Sequence, residues 1–232
     1  MLLGRDGYHV GVQEQTTHAS PEILDPANPG ADPRPVPPKR QRYLLFGEML
    51  VFAIVSLIAS WVLSYDAILL AADPNAELAC SINAVLDCAR VGASWQANVF
   101  GFPNAFLGMI AEPVVMTIAV ASLSGVRFPR WFMFTANVVY FLGVIFAYWL
   151  LYQSTYDIGA LCPWCLTVTV STTFVFWSMT AWNIQERNHY FSDKVAEKLE
   201  RFHRGGWLTI AFMAWIAIVL VIEILHWVPR YL

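Results

Sequence analysis

The sequence predicts an all-α protein that crosses a membrane several times, and three observations predict it. Hydrophobic residues make up 57% of the chain and charged residues only 13%, where a soluble domain averages about 25% charged. Five apolar runs are each long enough to cross a hydrocarbon core of about 30 Å, which takes roughly 20 helical residues. The charged residues gather at the ends of those runs, where headgroups and water begin. The net charge of −3 comes with no basic stripe, so the expected surroundings are membrane lipid and nucleic acid is not an expected partner.

Residues 1–42 are expected to form a disordered, Pro-rich cytoplasmic tail. Pro21, Pro26, Pro29, Pro33, Pro35, Pro37 and Pro38 crowd its second half among acids and few apolar anchors. Such a segment buries too little surface to offset the entropy of ordering it. A signal peptide would place its apolar core within about the first 15–30 residues. Here the first apolar run begins near Tyr43, so that span is expected to be retained.

The five predicted spans are 43–65, 104–123, 131–152, 163–183 and 206–228. Lys39, Arg40 and Arg42 precede the first, Arg127 and Arg130 separate the second from the third, and Arg187, Lys194, Lys198, Arg201 and Arg204 separate the fourth from the fifth. The alternate connections hold almost no Lys or Arg. The positive-inside rule therefore puts the N-terminus in the cytoplasm and the short tail after the fifth span outside. Residues 43–183 form a catalytic unit of four spans with a cysteine-bearing outer loop at 66–103, and 206–232 form the fifth span and the tail. Between them, 184–205 reads as a cytoplasmic amphipathic segment, with Phe191, Val195, Leu199 and Phe202 at helical spacing among charges. Trp95, Trp149, Trp164, Trp207 and Trp227 fall near the interfaces and suit an aromatic belt. Glu48 and Glu223 are expected to reach water or headgroups from the span ends. Glu112 stands in mid-span before Pro113, where ionisable residues are rare; an uncharged group bonded to a kinked helix is the expectation.

This topology puts all four cysteines on the outer side, where disulfides persist. In Leu161-Cys162-Pro163-Trp164-Cys165 the proline suits the first turn of a helix, since its missing N–H has no partner to lose there. Cys162 then stands at a capping position, with Cys165 three residues on and on the same face. Unpaired N–H groups and the positive end of the helix dipole favour a thiolate, the species that attacks disulfides and electrophilic carbons. An inert staple is the competing reading, but a bridge across so short a loop restrains the unfolded chain little. Zinc is disfavoured by the absence of His from either outer loop, and no metal is expected. Cys80 and Cys88 carry a conformational requirement. In a straight helix their Cα atoms would be about 12 Å apart, whereas a disulfide needs roughly 4.4–6.8 Å. The loop must fold back when oxidised, either as a movable relay or as a static staple.

At these positions the chain resembles the vitamin K epoxide reductase family, specifically its bacterial disulfide-forming members. The resemblance rests on Cys80-x7-Cys88 followed by Ala89-Arg90-Val91, on Phe102-Pro103-Asn104-Ala105-Phe106-Leu107-Gly108, and on Cys162-Pro163-Trp164-Cys165. It implies a four-helix bundle around a quinone pocket, with the fifth helix an addition found in many bacterial members. It implies that Cys165 faces the quinone and Cys162 exchanges with the loop. Cys80 would meet a thioredoxin-like oxidase and Cys88 would exchange with Cys162. Asn104 matches the residue that donates to a quinone carbonyl, with helix capping as its alternative role. Phe106 and Trp164 would wall the pocket, although Phe106 and Leu107 stand in swapped order. Thr169 occupies the position of a carbonyl-donating Tyr in the vertebrate enzymes, which argues for a plain quinone, of menaquinone, ubiquinone or phylloquinone type, over an epoxide. With no fused thioredoxin-like domain before Leu232, the oxidase is expected to be a separate extracytoplasmic protein and the setting a bacterial cytoplasmic (inner) membrane. Reversed electron flow would need a strong reductant that the chain does not encode. A non-catalytic membrane scaffold or transport component with two structural disulfides is the reading from another class.

Overall fold

The computed structural model describes Asp32 and residues 34–231. Residues up to Arg34 form a unit of their own, of which the carboxylate–guanidinium pair Asp32–Arg34 is described. Most of the expected tail lies outside the described residues. The second unit is Pro35–Leu232.

Helix α1, Lys39–Ala72, starts before the first predicted span and runs about two turns past it. At 34 residues it is about 51 Å long. Asp-Ala-Ile-Leu-Leu-Ala-Ala continues the helix, and Asp73-Pro74 stops it because the residue before a proline is driven out of the α region. A short helix, α2 (Cys88–Gly92), and a 3₁₀ turn, Trp95–Asn98, follow in the loop. Then come α3 (Ala105–Leu123) and α4 (Arg130–Tyr152). Helix α4 does not end where the sequence pattern does. It continues with π-helical pairing through Gln153–Ile158 and stops at Gly159, whose φ of 66° suits a residue without Cβ. Helix α5, Pro163–Gln185, opens on its proline. Helices α6 (Asp193–Arg204) and α7 (Trp207–Tyr231) complete the chain. Among the described residues there is no β-strand, only one isolated parallel bridge between Leu86 and Leu161.

Helices α1, α3, α4 with its extension, and α7 are long and apolar enough to cross a membrane. Helix α5 has the length, at 23 residues, but it carries Thr167, Thr169, Ser171, Thr172, Thr173 and Ser178. The physical reason is its place in the bundle. It packs on α1 and α4 and stacks Trp177 on Phe212 of α7, so its hydroxyls face protein rather than lipid. Several are satisfied by its own backbone, as Thr167 donates to Pro163 O, Thr169 to Cys165 O and Thr173 to Thr169 O. Small hydroxylated residues also let helices approach closely inside a bilayer. At the end of the bundle away from the cysteines, Phe46, Met49, Val175 and Met179 form an apolar core with α3 and α4. Helix α7 is mostly exposed on the bundle's flank.

Glu223 departs from expectation. It is buried on α7, where Thr155 donates to its carboxyl at 3.0 and 3.2 Å and Trp227 Nε1 at 2.9 Å. A span-end position had suggested headgroup contact; the π-helical end of α4 supplies a hydroxyl instead. Trp227 is accordingly buried at 6% exposure rather than set in an interfacial belt.

Candidate redox site

The loop between α1 and α3 is folded back by its own polar residues. Asn83 Oδ1 accepts from the N–H groups of Val85 and Leu86, both at 2.9 Å, while Ile82 and Asn83 donate to Leu86 O. Asp87 caps α2 by accepting from Arg90 N–H and also accepts from Ser81 Oγ at 2.7 Å. The reversal brings the Cys80 and Cys88 Cα atoms to 5.6 Å, and the two are joined in a disulfide.

The parallel bridge then docks this loop on the start of α5. Leu161 N–H donates to Val85 O at 2.7 Å and Asp87 N–H donates to Leu161 O at 3.2 Å. Its register sets Cys88, two residues after Leu86, beside Cys162, one residue after Leu161. Cys80, Cys88 and Cys162 belong to one buried apolar cluster with Leu70, Leu78 and Val91, and Cys165 packs against it. On the other side, Ser154 Oγ donates to Ala160 O and fixes the turn from the π-helical segment into α5.

Cys162 and Cys165 are free thiols. Cys162 Sγ accepts from Cys165 N–H at 3.4 Å, the helix-capping contact its position called for. Its pKa lies below the ordinary thiol range: hydrogen bonding from Cys165 and the backbone N–H groups of Trp164 and Cys165 favours the thiolate, against burial and the Asp66 carboxylate.

A cavity of about 460 Å³ opens beneath the cysteines, lined by α1, α3, α4 and α5. Cys88, Cys162 and Cys165 line it; Cys80 does not. Asn104 lines it too. Its Nδ2 donates to Gln96 O at 2.6 Å, which fixes the amide, and Oδ1 is buried without a partner. Gln96 is itself held by Asp157 at 2.6 Å. Asn104 makes no side-chain capping bond to α3, so the capping role is not the one this geometry gives it. Thr169 also lines the cavity, but its hydroxyl donates to Cys165 O at 3.0 Å. Phe106 and Trp164 are not among the residues that line the cavity: a step of one residue around the helix brings Leu107 to it rather than Phe106, and Trp164 packs on the loop cluster. Ile110 of α3 and Val139 of α4 both line the cavity and are 68% and 61% exposed.

Two carboxyls share this space, of which Asp66 went unremarked in the sequence. Asp66, near the end of α1, lines the cavity and lies 3.7 Å from Cys80 Sγ. Its signal was an acid interrupting an apolar run. Glu112 lines the deeper part and accepts from Ser56 Oγ of α1 at 2.7 Å and Tyr140 OH of α4 at 2.9 Å. It is thus bonded to neighbouring helices and not to its own. An apolar chamber with few polar groups, bordered by two thiols and an Asn whose amide nitrogen gives one hydrogen to Gln96 O and keeps a second, suits a flat aromatic ring bearing acceptor oxygens.

In sequence comparison no curated protein matches the chain. Residues 48–180 match the sequence profile of the vitamin K epoxide reductase family. That segment runs from α1 to α5, holds all four cysteines and is more than half of the chain. The chain therefore belongs to the vitamin K epoxide reductase family, whose members are in general membrane thiol oxidoreductases linked to a quinone.

Proposed function

We propose that this protein reoxidises a separate, extracytoplasmic thioredoxin-like oxidase and passes the electrons to a membrane quinone. The observation that carries the reading is the Leu86–Leu161 bridge, which ties the Cys88 loop to the start of the Cys162 helix, with both cysteines in one buried cluster and lining the cavity. Cys80 lies outside the cavity lining, the better placed of the loop pair for a protein partner. The polarity of the Lys and Arg residues supports the cysteines' facing the outside of a bacterial cytoplasmic membrane.

The partner's thiolate attacks Cys80, and its second thiol resolves the mixed disulfide, leaving both loop thiols reduced. Cys88 thiolate then attacks Cys162 Sγ of the oxidised helix pair, releasing Cys165 as a thiolate. Cys80 attacks Cys88 in turn, closing the loop disulfide and freeing Cys162. That product, a closed loop pair beside two helix thiols, is the arrangement in the structure. A bound quinone supplies the two-electron acceptor. Cys165 faces it from the first turn of α5, and Cys162 closes the disulfide as two electrons and two protons leave the pair. Asn104 orients the near carbonyl with its remaining amide hydrogen. The scaffold reading is disfavoured because the helix pair is free and lines a cavity, neither of which a staple needs.

Purified protein in lipid should reduce a soluble 1,4-naphthoquinone when given a reduced thioredoxin-like oxidase, and Cys165→Ser should abolish this. In the Cys80→Ser/Cys165→Ser variant a Cys88–Cys162 disulfide should accumulate. Turnover that survives replacement of all four cysteines would sink the proposal.

A further inference from the structure

Thr169 stands where the vertebrate enzymes have a second carbonyl donor, and Thr169 is not free to act. Its hydroxyl proton is committed to Cys165 O, and on α5 it is buried by its neighbours. The cavity nevertheless continues past it to Glu112 and Tyr140. No Lys, Arg or His is among the described residues lining that space. Glu112 is 3% exposed, and two hydroxyls from different helices converge on one of its oxygens, Oε1. Tyr140 makes a longer contact of 3.1 Å with Oε2. In the acid form Oε2 then bears the proton, giving an O–H donor in a chamber otherwise short of them.

Building on the quinone reading above, we propose that the Ser56–Glu112–Tyr140 cluster is the anchor for the far carbonyl of a para-quinone, replacing the Tyr that this chain lacks. The dimensions agree. Asn104 and Glu112 are eight positions apart in sequence on one side of α3, about 12 Å along the axis at 1.5 Å per residue. A para-quinone ring with a hydrogen bond of about 2.9 Å at each carbonyl spans roughly 11 Å. Asn104 holds the oxygen nearer the cysteines and Glu112 the deeper one, so the ring lies along the cavity with its edge toward Cys165. Ser56 and Tyr140 hold the carboxyl in place from α1 and α4. A donor fixed in a water-poor site strengthens its hold as the carbonyl oxygen gains charge during reduction. The anchor therefore selects rings with two opposed carbonyls.

The test is steady-state reduction of 2-methyl-1,4-naphthoquinone by the full-length protein in lipid, with a reduced thioredoxin-like oxidase in excess as electron donor. Glu112→Leu should raise KM for the quinone about tenfold, the loss of one buried hydrogen bond, while Glu112→Gln, whose amide still donates, should keep most of the affinity. Tyr140→Phe should fall between them. 2-Methylnaphthalene, which has the ring and no carbonyl, should inhibit wild type and Glu112→Leu equally, reporting an intact cavity. A wild-type KM in Glu112→Leu overturns the anchor, as does equal loss in the Leu and Gln variants or a parallel loss of naphthalene binding. Absence of quinone reduction by the wild-type protein would instead refute the function proposed above.

Discussion

Replacing Gly108 with Ala measures how closely α1 and α3 approach beside the cavity. A Cβ at Gly108 would collide with Ser60 Oγ and lie 2.8 Å from Ser60 Cβ. The hydroxyl can rotate away, but the Cβ is fixed to the backbone of α1. Ordinary contact begins at 3.4 Å, so the two helices must part by about 0.6 Å. Overpacking of this kind costs about 1–3 kcal/mol, which for a chain of this size lowers the unfolding temperature by on the order of 5 °C. Thermal unfolding in lipid nanodiscs, followed by Trp fluorescence, reads the shift. Ser60→Gly removes the obstructing Cβ at a helix-propensity cost of about 0.5–1 kcal/mol. The Ser60→Gly/Gly108→Ala pair should therefore be more stable than the sum of the two single changes predicts. Both residues line the cavity, so quinone KM should rise in Gly108→Ala and recover in the double variant. If Gly108→Ala unfolds with wild type and Ser60→Gly shows no coupling to it, the helices do not meet there and the argument fails.

Glu223→Leu takes the acceptor from Thr155 and Trp227 and should cost about 1–3 kcal/mol, seen as faster proteolysis around α7. Asp66→Asn removes a negative charge that disfavours the Cys162 thiolate. The midpoint of Cys162 alkylation against pH, resolved by mass spectrometry, should move down, and an upward or absent move contradicts that electrostatic assignment. Asn83→Ala deletes two hydrogen bonds that fold the loop back. Equilibration with glutathione should then shift Cys80–Cys88 toward the dithiol about three- to tenfold.

The sequence carried the chemistry more legibly than the surroundings. The two cysteine pairs, Pro163 at the helix start and the reversal between Cys80 and Cys88 all follow from local spacing and backbone geometry, which a linear chain records. Helix α5 was legible as a span, but not its central place in the bundle, which is what keeps Thr169 and Ser178 out of lipid. Phe106 and Leu107 differ by one residue, about 100° around the helix, and no pattern in the run says which points inward. Glu223 was misplaced because depth along a span can be counted, whereas Thr155 becomes its neighbour only when α7 docks on the π-helical end of α4. Glu112 drew notice as an ionisable residue in mid-span, yet its partners, Ser56 and Tyr140, come from other helices.

Ile110 and Val139 border the cavity and also face the bilayer, so the chamber communicates sideways with the hydrocarbon. The acceptor that counts is then the one dissolved in lipid. Saturation should follow mole fraction in the membrane rather than amount per volume of buffer. Diluting vesicles in water should leave the turnover of a long-tailed quinone unchanged, whereas adding empty lipid that mixes with the vesicles should slow it.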